Sequence, residues 1–177
     1  MPGPIFLEGE QVALRTIEED DLEYLQEQIN DPQVWRAIGR DRPVNADQEQ
    51  SFYEDVVCAD DNVTLMITAD NAVGTVGLNG VDTGNDTAEL GYWVDPEHHR
   101  KGYGSDAANR IIEYGFQQLG LHRIEARVFE FNEASQALLE SVGFVEEGVH
   151  RDAEFIDGEY QDVHWYGLLE EEWRERR

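Results

Sequence analysis

Lys101 is the only lysine among the 13 basic residues of this 177-residue sequence, and they face 39 acidic ones. A chain so short of cations has no basic face with which to neutralise phosphates, which excludes nucleic acid as a partner. Cysteine is nearly absent as well. Cys58 stands alone, so no intrachain disulfide can form. It falls on the apolar side of an expected helix, where a buried and inert thiol is the default. The longest apolar runs are too short to span a bilayer, and there is no basic-then-apolar leader, so no membrane partner is expected. The chain reads as cytoplasmic. Metal-ligand spacing is missing too: His98 and His99 are adjacent, would not share a face of a regular element, and have no third ligand spaced for a site.

What is present is acid, spread over nearly every expected surface, for a formal net charge of −26. Self-repulsion on that scale destabilises a compact state in dilute buffer. At molar salt the Debye length shrinks to about 3 Å and most of that penalty disappears. The expectation is a protein of a cytoplasm with very high salt, that is, of a halophile. With 40% hydrophobic residues the chain is no disordered polyanion, and its length suits one domain, residues 1–177, with a real core.

Along the chain, Gln11 to Arg15 alternates like a first strand. Leu22, Leu25 and Ile29 then recur at helical spacing up to Asn30-Asp31-Pro32, and residues 35–43 show no period. Asn45 caps a second helix with the apolar stripe Phe52, Tyr53, Val56 and Val57. Val63, Leu65 and Ile67 alternate as a strand, Val73 to Leu78 makes its hairpin partner, and Ala88 to Val94 is the next strand. A helix follows through Ala108, Ile111, Ile112 and Phe116 to Gly120, then a strand from Arg123 to Val128. Asn132 opens another helix, closed by Gly143, and two last strands, Arg151 to Ile156 and Tyr160 to Leu168, meet at Asp157-Gly158. The order describes one α/β domain with a mixed, mainly antiparallel sheet.

The chemistry concentrates at His99-Arg100-Lys101-Gly102-Tyr103-Gly104-Ser105, between a strand and a helix. Two glycines one residue apart let the backbone approach a ligand and turn its N–H groups the same way. The helix N-terminus behind them adds free donors and positive partial charge, and Arg100 and Lys101 add two cations. That is a place for a pyrophosphate. Gly102-x-Gly104-x-x-Ala107 also satisfies the loose dinucleotide-binding fingerprint, although Glu89 in the preceding strand and the long charged loop do not suit it.

Further motifs lie downstream: Asn132-x-x-Ser135, Ser141-x-Gly143-Phe144, Glu147-Gly148-x-x-Arg151-x-Ala153-Glu154-Phe155 and Gly158-x-Tyr160-x-Asp162, closing with Tyr166-Gly167-Leu168-Leu169. With Ala88 to Val94 and the glycine turn, their order and spacing resemble the GNAT superfamily of N-acetyltransferases. Within it they look most like the ribosomal-protein N-terminal acetyltransferases (RimJ/RimL-like). The resemblance implies a GNAT-like fold with helices flanking a sheet that splays apart at the acetyl-CoA site. It implies acetyl-CoA as co-substrate, with the pyrophosphate on the 100–105 turn and the pantetheine along Trp93 and Val94. Contacts would come from Trp93, Val94, His99, Arg100, Lys101, Gly102, Tyr103, Gly104, Ser105 and Asn132. The family's turn usually begins with Gln or Arg where this chain has His99.

For catalysis the resemblance implies direct attack of a free amine on the thioester in a ternary complex, with a backbone N–H near Val94 for the oxyanion. Many members use a tyrosine acid seven residues after the asparagine, but here that position is Leu139. The ribosomal-protein branch looks to a serine instead, which matches Ser135. Its glutamate base matches Glu154, and Glu89, acting through water, is the alternative. Asp162, Arg151 and Tyr160 read as hairpin contacts. The expected acceptor is a protein N-terminal α-amine. A small amine such as a polyamine or amino acid is the alternative, and so is a non-catalytic acyl-CoA sensor. Members often dimerise, so the resemblance admits a homodimer.

Overall fold

Helix caps decide where the helices begin. The computed structural model describes residues 2–177. After two short strands, β1 (Ile5–Glu8) and β2 (Ala13–Arg15), α1 spans Leu22–Ile29. Asn30-Asp31-Pro32 ends it as expected and also starts α2 (Pro32–Ala37). The Asp31 carboxylate accepts from Gln33 N at 2.7 Å, and proline sits where its missing N–H costs nothing. Asn45 caps α3 (Ala46–Phe52): its Oδ1 accepts from Gln48 N at 3.0 Å, while Gln48 Oε1 accepts from Asn45 N at 2.9 Å.

α3 then runs into a π turn over Tyr53–Val57, closed by Cys58 N donating to Tyr53 O at 2.9 Å. Five residues per bonded turn rotate the chain out of α-helical phase. Cys58 is therefore exposed, not buried as its helical phase suggests.

β3 (Val63–Thr68), β4 (Ala72–Asp82) and β5 (Thr87–Val94) form an antiparallel meander. α4 spans Tyr103–Gln117, β6 Arg123–Phe129 and α5 Glu133–Val142. β7 (Val145–Ile156) and β8 (Glu159–Leu169) close the sheet, and α6 (Glu170–Glu175) follows. The eight strands lie in the order β1-β2-β3-β4-β5-β6-β8-β7, and of their pairings only β5 with β6 is parallel. This is the expected α/β architecture, a mixed and mainly antiparallel sheet flanked by helices.

The main core lies between the sheet and α4: Leu14, Ile67, Val76, Leu78, Ile124 and Leu168 meet Ala107, Ala108, Ile111 and Ile112, all essentially without exposure. Burying each of the larger aliphatic side chains contributes about 1.5–3 kcal/mol. On the other side a smaller cluster joins Ile17, Leu25 and Met66. Among the described residues, no helix is long and apolar enough to cross a membrane.

Two features of the β7–β8 hairpin bear on the site. Its turn has Asp157 at φ 56° and Gly158 at φ 88°, the two left-handed residues that a tight Asp-Gly hairpin needs. Between His150 and Glu154 the register shifts, with Asp152 at φ 50° and its N–H donating to Asp162 Oδ1 at 2.9 Å. The bulge re-aims the strand just before Glu154. The hairpin tip is tied to α2 by an ion pair, Arg36 to Asp157, at 3.0 Å.

Candidate active site

β5 and β6 are in register only over Thr87–Glu89 and Arg123–Glu125. Past that point β5 continues on β4 as far as Val94, and β6 continues on β8 as far as Phe129, with no ladder pairing between the two. The sheet has split. A cleft of about 790 Å³ fills the gap, walled by Leu90 to Val94 on one side and Ala126 to Phe129 on the other. The unpaired inner edges expose backbone N–H and C=O groups to an extended, amide-bearing ligand.

At one end the cleft meets the turn before α4. Arg100 has φ 61° and Gly102 has φ 83°, so left-handed residues alternate with right-handed or extended ones and the N–H groups converge. A non-glycine residue held left-handed marks strain kept for a purpose. Gly104 allows close approach, since a Cβ there would lie 3.0 Å from Leu138 Cδ1 and 3.4 Å from Val94 Cγ2. α4 begins immediately behind, its first N–H groups unpaired. The turn fits a pyrophosphate and the split fits a pantetheine arm.

The turn is held from below. Asp106, in the first turn of α4, accepts from three backbone N–H groups of the β1–β2 connection: Glu10 at 3.0 Å, Gln11 at 2.6 Å and Val12 at 2.9 Å. His99 is folded back on the strand. Its Nε2 lies 2.7 Å from Val94 O, and because a carbonyl only accepts, Nε2 carries the hydrogen. His98 has its Nδ1 3.5 Å from Asp95 Oδ2, so the two histidines have different partners.

Of the residues expected at the site, Glu89, Trp93, Val94, His99, Arg100, Gly102, Tyr103, Gly104, Ser105, Asn132, Ser135 and Glu154 all line this cleft. Lys101 does not, and its Nζ stands 6.0 Å from the centre of the Tyr103 ring. Asn132 caps α5, its Oδ1 accepting from Ser135 N at 3.2 Å. Glu154 is exposed on β7, while Glu89 is paired with Arg127 at 3.1 Å. Asp162 pins the bulge and Tyr160 packs edge-on against Phe155 with ring centres 5.2 Å apart, which is how hairpin contacts behave.

Two features lie outside that expected set. Tyr92, also in the cleft wall, has its Oη 2.6 Å from Ser135 Oγ. Burial pushes its hydroxyl up to about 12. The second is a smaller pocket of about 220 Å³ beneath α1 and α3, sharing Ile38, Gly91, Tyr92 and Trp93 with the cleft. Glu49 lines it, only 5% exposed. Burial raises its carboxyl above the usual range, while Arg40 pulls it down. In the sequence Glu49 looks like any solvated helix glutamate, one of 39 acids; no local signal separates it from the rest.

Residues 11–145 match the family description "Acetyltransferase (GNAT) domain". An uncharacterized N-acetyltransferase of Bacillus licheniformis is 33% identical over 174 residues, covering 93% of this chain and 96% of that one. The ribosomal-protein-serine acetyltransferase of Escherichia coli is 30% identical over 105 residues, 59% of each chain. Among solved structures, the spermidine N-acetyltransferase of Vibrio cholerae in complex with CoA and spermine superposes with a TM-score of 0.87. It is 28% identical, over 93% of this chain and 98% of that one. The strand preceding the glycine turn is the split strand of that fold rather than the buried parallel strand of a dinucleotide-binding unit, which removes the rival reading of the glycines. With its split sheet, its glycine turn before α4 and these relatives, the chain belongs to the GNAT family and is an acetyl-CoA-dependent N-acetyltransferase.

Proposed function

We propose that this enzyme acetylates the α-amine of a protein N-terminus by direct attack in a ternary complex. The observation that carries the reading is the meeting of two cavities at Ile38, Gly91, Tyr92 and Trp93. Acetyl-CoA in the cleft and an acceptor residue in the 220 Å³ pocket would bring thioester and amine together there. The pocket has the size for one side chain, floored by Leu25, Ile29 and Val44, so the first residue of a polypeptide fits it. The name of the Escherichia coli relative favours the same class.

The roles follow from the bonds exchanged. The amine must lose a proton as its nitrogen bonds to the carbonyl carbon, and Glu154, exposed at the cleft, takes it through water. A backbone N–H near Val94 donates to the oxyanion. The C–S bond breaks, and Ser135 faces the departing sulfur. Trp93, Val94, Asn132 and the turn from His99 to Ser105 hold the co-substrate, with Lys101, outside the cleft wall, adding its charge to the turn.

A second reading rests on Glu49. A carboxylate buried in the acceptor pocket suits a ligand that brings a second positive charge, as a small polyamine does, and the Vibrio cholerae structure carries spermine. Release of CoA thiol at molar salt, measured with N-terminal peptides and with polyamines, separates the readings. Peptide-dependent release is expected. Release with polyamines alone moves the assignment to the second reading, and tight CoA binding without release for any amine overturns both in favour of an acyl-CoA sensor.

A further inference from the structure

The shortest polar contact of the cleft wall joins two residues on either side of the split. Tyr92 lies on β5, three residues beyond the last rung shared with β6, and Ser135 lies in the first turn of α5. Tyr92 Oη is 2.6 Å from Ser135 Oγ and 3.4 Å from Ser135 O. Each hydroxyl has one hydrogen to give, which leaves two arrangements. In one, Ser135 donates to Tyr92 and Tyr92 must turn its hydrogen to the carbonyl at 3.4 Å, a weak bond. In the other, Tyr92 donates along the 2.6 Å contact and the Ser135 hydrogen is left for the cleft. The distances favour the second.

We propose that Tyr92 is a positioning residue for acetyl transfer: by donating to Ser135 Oγ, it turns the serine's own hydrogen towards the sulfur that leaves acetyl-CoA. This rests on the reading of Ser135 as the group that faces the sulfur. In the step, the N–C bond forms, the C–S bond breaks, and the amine's proton departs through Glu154 and water. The thiolate leaves with a hydrogen bond from Ser135 and takes its proton from solvent, so the overall reaction is proton-neutral. Tyr92 keeps its hydrogen throughout: burial holds it far above a thiol, which titrates at about 8.5. Its part is to remove one of two orientations of the serine and to polarise the O–H bond. Asn132 fixes the backbone of the same residue, its Oδ1 accepting from Ser135 N at 3.2 Å.

The test is a double-mutant cycle with Tyr92→Phe, Ser135→Ala and the pair, which lacks the donor, the relay or both. Tyr92→Phe keeps the ring and its packing, and an unchanged melting temperature and CoA affinity verify that. The expected result is a fall in kcat of about 10- to 100-fold with KM for acetyl-CoA unchanged. In the Ser135→Ala background the same substitution should cost less than about 2-fold. Effects that multiply, or a Tyr92→Phe enzyme with full kcat, overturn the positioning role while leaving Ser135 in place. Full turnover in Ser135→Ala alone overturns the serine reading and the Tyr92 proposal with it.

Discussion

Glu89 and Arg127 face each other across the mouth of the split, Oε1 to Nε at 3.1 Å, where β5 and β6 exchange their last rung. A carboxylate engaged by a guanidinium must break that charge-assisted bond before it can turn to an amine or its water. Glu154 lines the same cleft and, among the described residues, is held in no ion pair.

The two candidate bases should therefore separate on substitution. Glu154→Gln is expected to lower kcat by about 100-fold or more, and Glu89→Gln by less than about 10-fold. Steady-state kinetics on both variants at one pH decides it. The opposite ranking would make Glu89 the base and the Arg127 pair a resting arrangement.

Glu49 gives a stability prediction whose sign follows from its burial. The fold raises its carboxyl above the ordinary 4.5, so the folded state favours the protonated form. Below about 4.5 both states are protonated and the group is neutral to stability. As pH climbs through the raised value, ionising the buried group costs stability. Glu49→Gln should then melt higher than the parent at neutral pH, with the gap closing as pH falls towards 4.5. Thermal melts between pH 5 and 8 at fixed salt read this directly. If the variant also loses turnover with polyamines but not with peptides, Glu49 serves the acceptor.

Gly102 holds φ 83° at the start of α4. Gly102→Ala would force an L-residue into the left-handed region at about 1–2 kcal/mol. The chain would relieve that by turning the N–H groups of the 100–105 turn out of convergence. Weaker CoA binding by calorimetry is expected with kcat at saturation close to the parent value. Unchanged affinity would show that the turn does not grip the co-substrate.

How far these features could be read in the sequence depends on how local their causes are. Asn45 and Asn132 announce their helices because a cap is decided within three residues, and the Asp157-Gly158 turn is decided within two. β1 has no such signature: of Ile5-Phe6-Leu7-Glu8 only Leu7 is buried, so no alternation appears. β7 is twice the length its pattern suggests, because it is an edge strand whose first eleven residues are all exposed and leave no periodic trace. α2 hides behind Pro32, which reads as the end of α1. α6 likewise carries no apolar stripe, being Glu-Glu-Glu-Trp-Arg-Glu. Within the site, the glycine turn and Ser135 are legible as motifs. Tyr92 is not, since only its approach to a residue 43 positions away distinguishes it from a core tyrosine.

The charge of −26 predicts a melting temperature that climbs with salt. Between 0.1 M and 1 M the screening length falls from about 10 Å to about 3 Å, which removes most long-range repulsion among surface carboxylates. Thermal melts in a potassium chloride series are expected to rise throughout that range. A flat series would mean that the acids are already balanced by local contacts.

The Arg36–Asp157 pair has a consequence in the same series, of opposite sign. The hairpin carrying Glu154 is rooted in the sheet through β8, yet its tip meets α2 through two half-exposed charges. An exposed pair of this kind is worth about 0–1 kcal/mol and fades as ions crowd in. The brine expected to quiet the molecule as a whole is thus expected to loosen the arm that carries Glu154. Durability and speed need not peak together: the saltiest medium the protein tolerates best would be one in which it works with a slacker grip.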